Sequence, residues 1–600
     1  MTFIDARKAY DSVWREGNYV RLHDLGVRGK LWRQLQAMNA DSESKIRLPF
    51  GETELFKVTR GVAQGAVESP FLYSCFINGL AEDLKERGLG VRTAGILTPL
   101  LMYADDIVML AASVPELRTM NQVATDYAFA NRYQFNGKKS NVMAFNANKV
   151  VTEQVQREPW VLFGEVVKVS TTYKYLGVNL LSNLNNWNPY LHRAIAKARR
   201  VSQDLTWFCR RETGLLPRSA AVLWKAIVRP VLEYAAELWA GDISKELTTS
   251  AEAIQTNFAR EALGLTECQS IPNDLIRAEL GMEKLTSRWE KLRLGYWRRL
   301  HEAVFATTLR SVVTLRRWQV DMAPRAFDNG WMRKTKTLLT DGGLIDNWHD
   351  PKMCSSQTKK EWKDIVYDSV ESRETTATMS RLTNLSSSHA ARYVRSKNWD
   401  KVTEDYACFE GEVGRRGALV PEPYLDDREE PVGRRLKLMC RAGCLPTLKR
   451  LAREAKMPAA HGTCKMCASG RIEDIAHFVQ DCPAYATHRA KMLESAPPGF
   501  DSLAQPDRLD VLLGKSAGTS KIDDKTDAAV KRFLKKAWRA RKWLVVATNM
   551  VFSRNDTPWA IESHGDGFSR SYTKSCTKSS DVADSARRGT HKTRARSSRS

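Results

Sequence analysis

At 600 residues, with 43% hydrophobic and 27% charged side chains, the chain is too long for one ordinary domain and too apolar to be disordered throughout. Its 93 Lys and Arg against 69 Asp and Glu leave a net charge of +24 and a pI near 9.5, an excess that suits a phosphate-backbone binder because each neutralised phosphate releases condensed counterions. The 11 cysteines, mostly scattered singly, argue against a secreted disulfide framework.

The opening Met-Thr-Phe-Ile-Asp is no signal peptide. The most apolar stretch, Thr98 to Val114, is broken by Asp105 and Asp106 and is no membrane span. The expectation is an intracellular protein without a membrane partner.

Residues 1–180 alternate short β-type runs (within 2–6, 100–110, 142–145 and 161–168) with helical stretches, which predicts an α+β fold. Asp5 closes the first run. Asp105 and Asp106 lie between two apolar arms in Leu100-Leu-Met-Tyr-Ala-Asp-Asp-Ile-Val-Met-Leu110. As a bare pattern this is a β-hairpin with two acids in its turn, since Asp favours turns. A bound divalent cation accounts for the adjacent like charges between strands apolar enough to be buried, because hard cations such as Mg²⁺ take oxygen ligands. Nucleotidyl transfer needs two such ions about 4 Å apart, one activating the attacking hydroxyl and one at the leaving oxygen. Asp5, Asp105 and Asp106 are the triad the sequence offers.

From about residue 187 the pattern turns helical. Ile195, Ala198, Val201, Leu205 and Phe208 recur at three- and four-residue steps, with Lys197, Arg199 and Arg200 largely off that stripe. A second apolar helix, from Ala220 to Trp239, is expected to be kinked or divided at Pro230. Residues 301–430 are polar, with a Ser/Thr-rich patch at 372–388, and are expected as an unassigned linker region. Residues 431–500 form a Cys/His region, in which Cys464-x2-Cys467-x9-His477-x4-Cys482 supplies four ligands for a tetrahedral Zn²⁺. His461, His488, Cys440 and Cys444 are near enough to substitute; the tighter set is preferred. Pro506-Asp507 with Asp510 invites a nuclease reading, but Pro-Asp is a common turn dipeptide. Residues 501–550 predict a basic helical segment with Val530, Phe533, Leu534, Ala537 and Trp538 on one side. Residues 551–600 are rich in Ser, Thr, Lys and Arg, lack an apolar period and predict a disordered basic tail.

Five segments together resemble reverse-transcriptase motifs in the family's order, which is more specific than any one of them. Asp5-x3-Ala9-Tyr10 resembles motif A, Gly61-Val-Ala-Gln-Gly-Ala-Val-Glu-Ser-Pro70 motif B, and Tyr103-Ala-Asp-Asp106 motif C. Phe135-Asn-Gly-Lys-Lys-Ser140 resembles motif D, and Tyr173-Lys-Tyr-Leu-Gly177 resembles motif E, the primer grip. Glu68 stands where this clade more often has an apolar residue. Viral RNA-dependent RNA polymerases generally show Gly-Asp-Asp in motif C and a Ser-Gly motif B, which this chain does not share. Residues from Trp187 to Gly264, including Trp224-Lys-Ala-Ile-Val-Arg-Pro-Val-Leu-Glu-Tyr234, resemble the thumb of LINE-type (non-LTR retrotransposon) enzymes. The phrase from Glu473 to Tyr485 resembles their C-terminal zinc knuckle.

The resemblance implies a polymerase palm over 1–180, a helical thumb over 181–300, and an RNA-directed DNA polymerase working on an RNA template and DNA primer with dNTPs. It implies that Asp5, Asp105 and Asp106 hold two Mg²⁺, that Tyr10 selects dNTPs by excluding a 2′ hydroxyl, and that Gln64 and Gly65 contact nucleotide and template. Lys139 would donate a proton to pyrophosphate, with Lys138 equally placed. It implies action in the nucleus at a nicked integration site. Basic finger residues are expected before motif A, and only four residues precede Asp5. The chain is therefore expected to be a fragment or truncated copy that extends primers negligibly by itself. The alternative expectation is a catalytically inactive nucleic-acid-binding remnant.

Overall fold

In the computed structural model, residues 1–547 are described apart from 94, 184–185, 210–213, 267, 269–270, 303–306, 323–329, 385–392, 395–396, 398–420, 427 and 515–523. The tail expected to be disordered lies outside them. Mixed sheet and helix make up the first 180 residues, as the α+β pattern predicts.

Five strands form the central sheet: β1 (Thr2–Ile4), β2 (Leu100–Tyr103), β3 (Asp106–Met109), β4 (Asn141–Val142) and β5 (Lys168–Val169), in the order β5-β4-β1-β3-β2. All pairings are antiparallel except β4 with β5. Side chains alternate across a strand, and here both faces are covered. Ile4, Ile107 and Met109 belong to a core with Leu72, Phe76 and Leu80 of helix α1 (Ser69–Glu86) and Met120 and Ala124 of helix α2 (Val114–Ala130). On the opposite face, Phe3, Val108 and Met143 meet Tyr173, Tyr175 and Leu180 of the hairpin β6 (Thr172–Tyr175) and β7 (Val178–Leu181). Burial on both faces is why β1 and β3 read as apolar runs.

The helical part opens with α3 (Asn188–Cys209). Ile195, Ala198 and Leu205 are buried as the stripe predicts, whereas Phe208 is 48% exposed. The expected break at Pro230 is present: α4 (Pro217–Ile227) stops short of it, and two short helices, Arg229–Glu233 and Ala236–Trp239, follow. Next come α5 (Lys245–Ala262) and α6 (Leu285–His301).

The region expected as a polar linker is instead helical over much of its described length. Helices Thr307–Met322 and Gly330–Asp341 and the 25-residue α7 (Lys359–Thr383) share a core with Trp297, Trp348 and Trp362. Trp297 and Trp348 stack with ring centroids 5.2 Å apart. Its polar composition reflects outward faces, while a few large aromatic residues supply the buried area.

The Cys/His region is packed into the same core as the helices before it. One continuous apolar cluster runs from Val178 through α3–α5 to Phe478, Val479 and Tyr485, ending at Phe533 and Trp538. It includes α8 (Pro431–Arg441) and the expected basic helix, α9 (Asp524–Ala547), whose Val530, Phe533, Leu534, Ala537 and Trp538 are all buried. No helix among the described residues is long and apolar enough to cross a membrane.

Candidate active site and metal centre

The ladder fixes where the acids stand. Ile4 pairs with Ile107 and Tyr103 with Asp106. Asp5, one residue beyond Ile4, therefore lies beside Asp106, and Asp105 occupies the β2–β3 turn. Ala104 in that turn has φ +52°, a left-handed conformation that hairpins normally give to glycine or asparagine and that costs an alanine about 1–2 kcal/mol. Partial burial, and after it the carboxylates of Asp105 and Asp5, raise the pKa of Asp106 above its ordinary value. Among the described residues, the His, Cys, Asp and Glu side chains gathered closely enough to share a metal ion are those of the Cys/His group described below.

Asp5 is anchored through its backbone. Its N–H donates to Ser140 Oγ at 3.0 Å, and its carbonyl accepts from Asn136 N at 2.8 Å. Ser140 Oγ in turn donates to the Asn136 carbonyl at 2.8 Å. The 135–140 loop is thus bound to Asp5, and Lys138 and Lys139 project from it exposed. Both remain equally placed.

Tyr10 is half-buried, its ring parallel to that of Tyr73 at 5.1 Å. The Tyr73 hydroxyl is 2.8 Å from that of buried Tyr133. Val62 N donates to the Tyr10 carbonyl at 2.9 Å and Gly61 N to that of Val13 at 2.8 Å. Gly61 has φ +89°, and a Cβ there would come within 2.8 Å of the Asp11 backbone; only glycine fits. Arg15 Nε donates to the Gly61 carbonyl at 2.7 Å. Gln64 Nε2 donates to Asp11 Oδ1 at 3.0 Å, and the space beside Gly65 is open. Tyr10, Gln64 and Gly65 therefore share one surface. The supporting roles of Arg15, Tyr73 and Ser140 are invisible in the sequence, because each acts across long stretches of chain.

The β6–β7 hairpin leans on the same strand. The rings of Phe3 and Tyr173 stack at 4.3 Å, and Tyr175 lies 5.6 Å from Phe3. Burial, then the charges of Asp5 and Asp106, raise the pKa of Tyr173.

Cys464, Cys467, His477 and Cys482 bring one ligand atom each to within 4.8 Å of one another. Cys464 Sγ is 3.8 Å from Cys482 Sγ, and Cys467 Sγ is 3.5 Å from His477 Nε2. A tetrahedron with Zn–S of about 2.3 Å and Zn–N of about 2.0–2.1 Å has edges near these lengths. The sulfurs are too far apart for a disulfide. Burial pushes the Cys482 thiol up to about 12, and a cation would offset that desolvation cost. The donor set therefore fits Zn²⁺. Cys464 N donates to the Arg471 carbonyl at 2.8 Å, closing the small loop that carries the first two ligands. His461, His488, Cys440 and Cys444 stand outside the group. Asp507 lies in the first turn of a short helix and Asp510 is buried on it.

Residues 1–180 match the family described as reverse transcriptase (RNA-dependent DNA polymerase). Among similar proteins is the Drosophila melanogaster protein named "Probable RNA-directed DNA polymerase from transposon BS". It is 24% identical over 326 residues, which cover 52% of this chain and 34% of that protein. The RNA-directed DNA polymerase from mobile element jockey of Drosophila funebris is 25% identical over 44% of this chain and 28% of its own length. The retrovirus-related Pol polyprotein from type-1 retrotransposable element R2 of Popillia japonica is 27% identical over 29% of this chain and 25% of its own. The matches thus span about a quarter to a third of the length of these relatives.

Proposed function

We propose, from the premise that residues 1–180 are a reverse-transcriptase domain of the LINE (non-LTR retrotransposon) type, that the chain extends a DNA primer on an RNA template with dNTPs. In this reading the β1–β5 sheet with α1 and α2 is the palm, the β6–β7 hairpin the primer grip, α3 to α5 the thumb, and the Cys/His unit a zinc knuckle. The observation that carries it is the register that sets Asp5 beside Asp106, with Asp105 in the adjoining turn and Tyr173 against the same strand.

Asp5, Asp105 and Asp106 would hold two Mg²⁺, which lower the pKa of the primer 3′ hydroxyl and neutralise charge on the leaving pyrophosphate. The hydroxyl oxygen attacks the α-phosphorus, and the bond from that phosphorus to the bridging oxygen breaks. The hydroxyl proton leaves to solvent, and Lys139 or Lys138 supplies one to the pyrophosphate. Tyr10, held flat by Tyr73, presents its ring where a 2′ hydroxyl would stand. Gln64 and Gly65 contact the nucleotide and template. The exposed His192, Arg193, Lys197, Arg199 and Arg200 of α3 suit phosphate contacts that position a duplex without reading it. Zn²⁺ on Cys464, Cys467, His477 and Cys482 would fix the fold of the knuckle. The site of action would be a nicked chromosomal target, hence the nucleus.

The test is Mg²⁺-dependent extension of a labelled DNA primer on an RNA template, by the chain alone and by the chain preceded by a relative's finger segment. Extension that Asp105→Asn abolishes supports the reading. Extension indifferent to Asp105→Asn overturns it. Salt-dependent RNA binding with no extension in either form would favour a binding protein instead.

A further inference from the structure

Tyr234 lies outside the five polymerase motifs, at the end of the phrase that resembles the LINE-type thumb, and it meets the primer-grip hairpin at its tip. Its hydroxyl donates to the Leu176 carbonyl at 2.5 Å. Its ring lies against Gly177, where a Cβ would come within 3.1 Å of it. Leu176 and Gly177 form the β6–β7 turn with φ +46° and +79°, the two-residue hairpin geometry that demands positive φ at both positions. Gly177 is therefore favoured by its own φ, and a side chain there would also press on the ring beside it.

The backbone of Tyr234 is fixed from the other side. Its carbonyl accepts from the Tyr190 hydroxyl on α3 at 3.0 Å and from Trp239 Nε1 at 2.9 Å. Ala235 follows at φ +58°, so the chain reverses sharply there. Tyr190 and Trp239 are both buried in the helical core. A continuous line of contacts then leads from α3 through Tyr190, Tyr234, the Leu176–Gly177 turn and Tyr173 to Phe3, two residues before Asp5.

We infer that Tyr234 is a positioning residue that sets the primer-grip turn relative to Asp5, Asp105 and Asp106, and so sets where the primer 3′ end lies. The inference rests on reading residues 172–181 as the primer grip. Tyr234 touches no reacting atom; it acts through Leu176 and Gly177. The hydroxyl bond to Leu176 and the packing of the same end of the ring against Gly177 hold the turn by direction as well as by contact, which a purely apolar contact would not do.

The experiment replaces Mg²⁺ by Fe²⁺ with ascorbate in the full zinc-loaded chain bound to a 5′-labelled DNA primer on an RNA template. Hydroxyl radicals then cut the primer nearest the acids. In the unmodified protein, cuts should be confined to the last nucleotides of the primer. Tyr234→Ala should move the cuts along the primer and lower those at the 3′ end by about fivefold or more, the range of a typical coupling between sites. Gly177→Ala disturbs the same contact while keeping Tyr234, and should give the same shift if Tyr234→Ala folds poorly. Tyr234→Phe keeps the ring and loses only the bond to Leu176, and should fall between. Cuts unchanged in position and intensity in both alanine variants overturn the role of Tyr234. An absence of cuts at the 3′ end in the unmodified protein overturns the polymerase reading itself.

Discussion

Single residues divide into those whose chemistry shows in the sequence and those whose role depends on distant neighbours. Asp105 and Asp106 show, because two like charges between apolar arms demand a reason. Tyr10 shows only through its place in motif A, and Tyr73, which lies flat against it, does not show. If the ring of Tyr10 excludes a 2′ hydroxyl, Tyr10→Val should raise ribonucleotide relative to deoxynucleotide incorporation by at least about tenfold, equivalent to about 1.4 kcal/mol of lost discrimination. Competition between the two nucleotide types in the extension assay measures it, and an unchanged ratio removes Tyr10 from that role. His301 makes a separate prediction. Burial, then the charges of Arg317 and Arg310, lower its pKa to about 4, and it packs on Trp297 with ring centroids 4.5 Å apart. A depressed pKa means that the neutral ring is the one the fold accepts. Its contribution is full above an ordinary histidine's 6.5 and is lost as pH falls towards 4. His301→Phe should flatten the stability profile between those pH values, by on the order of 3 kcal/mol. Denaturant melts at pH 7 and pH 4.5 that show the same loss in both proteins would contradict this.

At the scale of elements, strands with both faces buried and the Cys/His spacing were legible, and so was the break at Pro230. The helices of 307–383 were not. Their apolar residues are few and large, so the stripe is sparse, although Thr358 and Glu361 form a capping box that was available as a start signal. Nor does spacing show that the Cys/His unit is bound into the larger core. Glu473 and Arg541, 1% and 3% exposed as side chains, pair at 2.8 Å through both carboxylate oxygens. Glu473 also accepts from Leu448 N at 2.7 Å. Removing one partner of such a pair strands a buried charge, so Arg541→Ala should cost about 3–5 kcal/mol while leaving the zinc content unchanged. Cys464→Ser should do the opposite in order: zinc is lost first, from one ion per chain to about none, and local unfolding follows because the site's binding energy is folding energy. Metal analysis beside thermal melts separates the two. Full zinc retention in Cys464→Ser would refute the ligand set.

For the molecule as a whole, contacts between regions far apart in sequence decide the architecture, and single-sequence periodicity cannot register them. Arg441 and Glu279, both with fully buried side chains, pair at 3.1 Å, and Glu422 joins Arg441 at 3.3 Å and Lys397 at 2.9 Å. This buried network ties α8 to the helix Asn273–Glu279. The net charge of +24 was legible, and it predicts that RNA binding weakens steeply with salt, by about 10³-fold or more between 50 and 200 mM. A shallow dependence would mean that the basic side chains do not meet phosphates. The charge says nothing about catalysis, which needs ligands aimed at one point, and the convergence of Asp5, Asp105 and Asp106 is therefore the central claim. It is tested most directly by loading the zinc-bound chain with Fe²⁺ and ascorbate and mapping the backbone cuts by mass spectrometry. Cuts should cluster around residues 4–6 and 103–107, should be suppressed by excess Mg²⁺, and should vanish from both segments together in Asp105→Asn. Cuts at only one of the two segments, or cuts indifferent to Asp105→Asn, would show that the three carboxylates do not share a metal site.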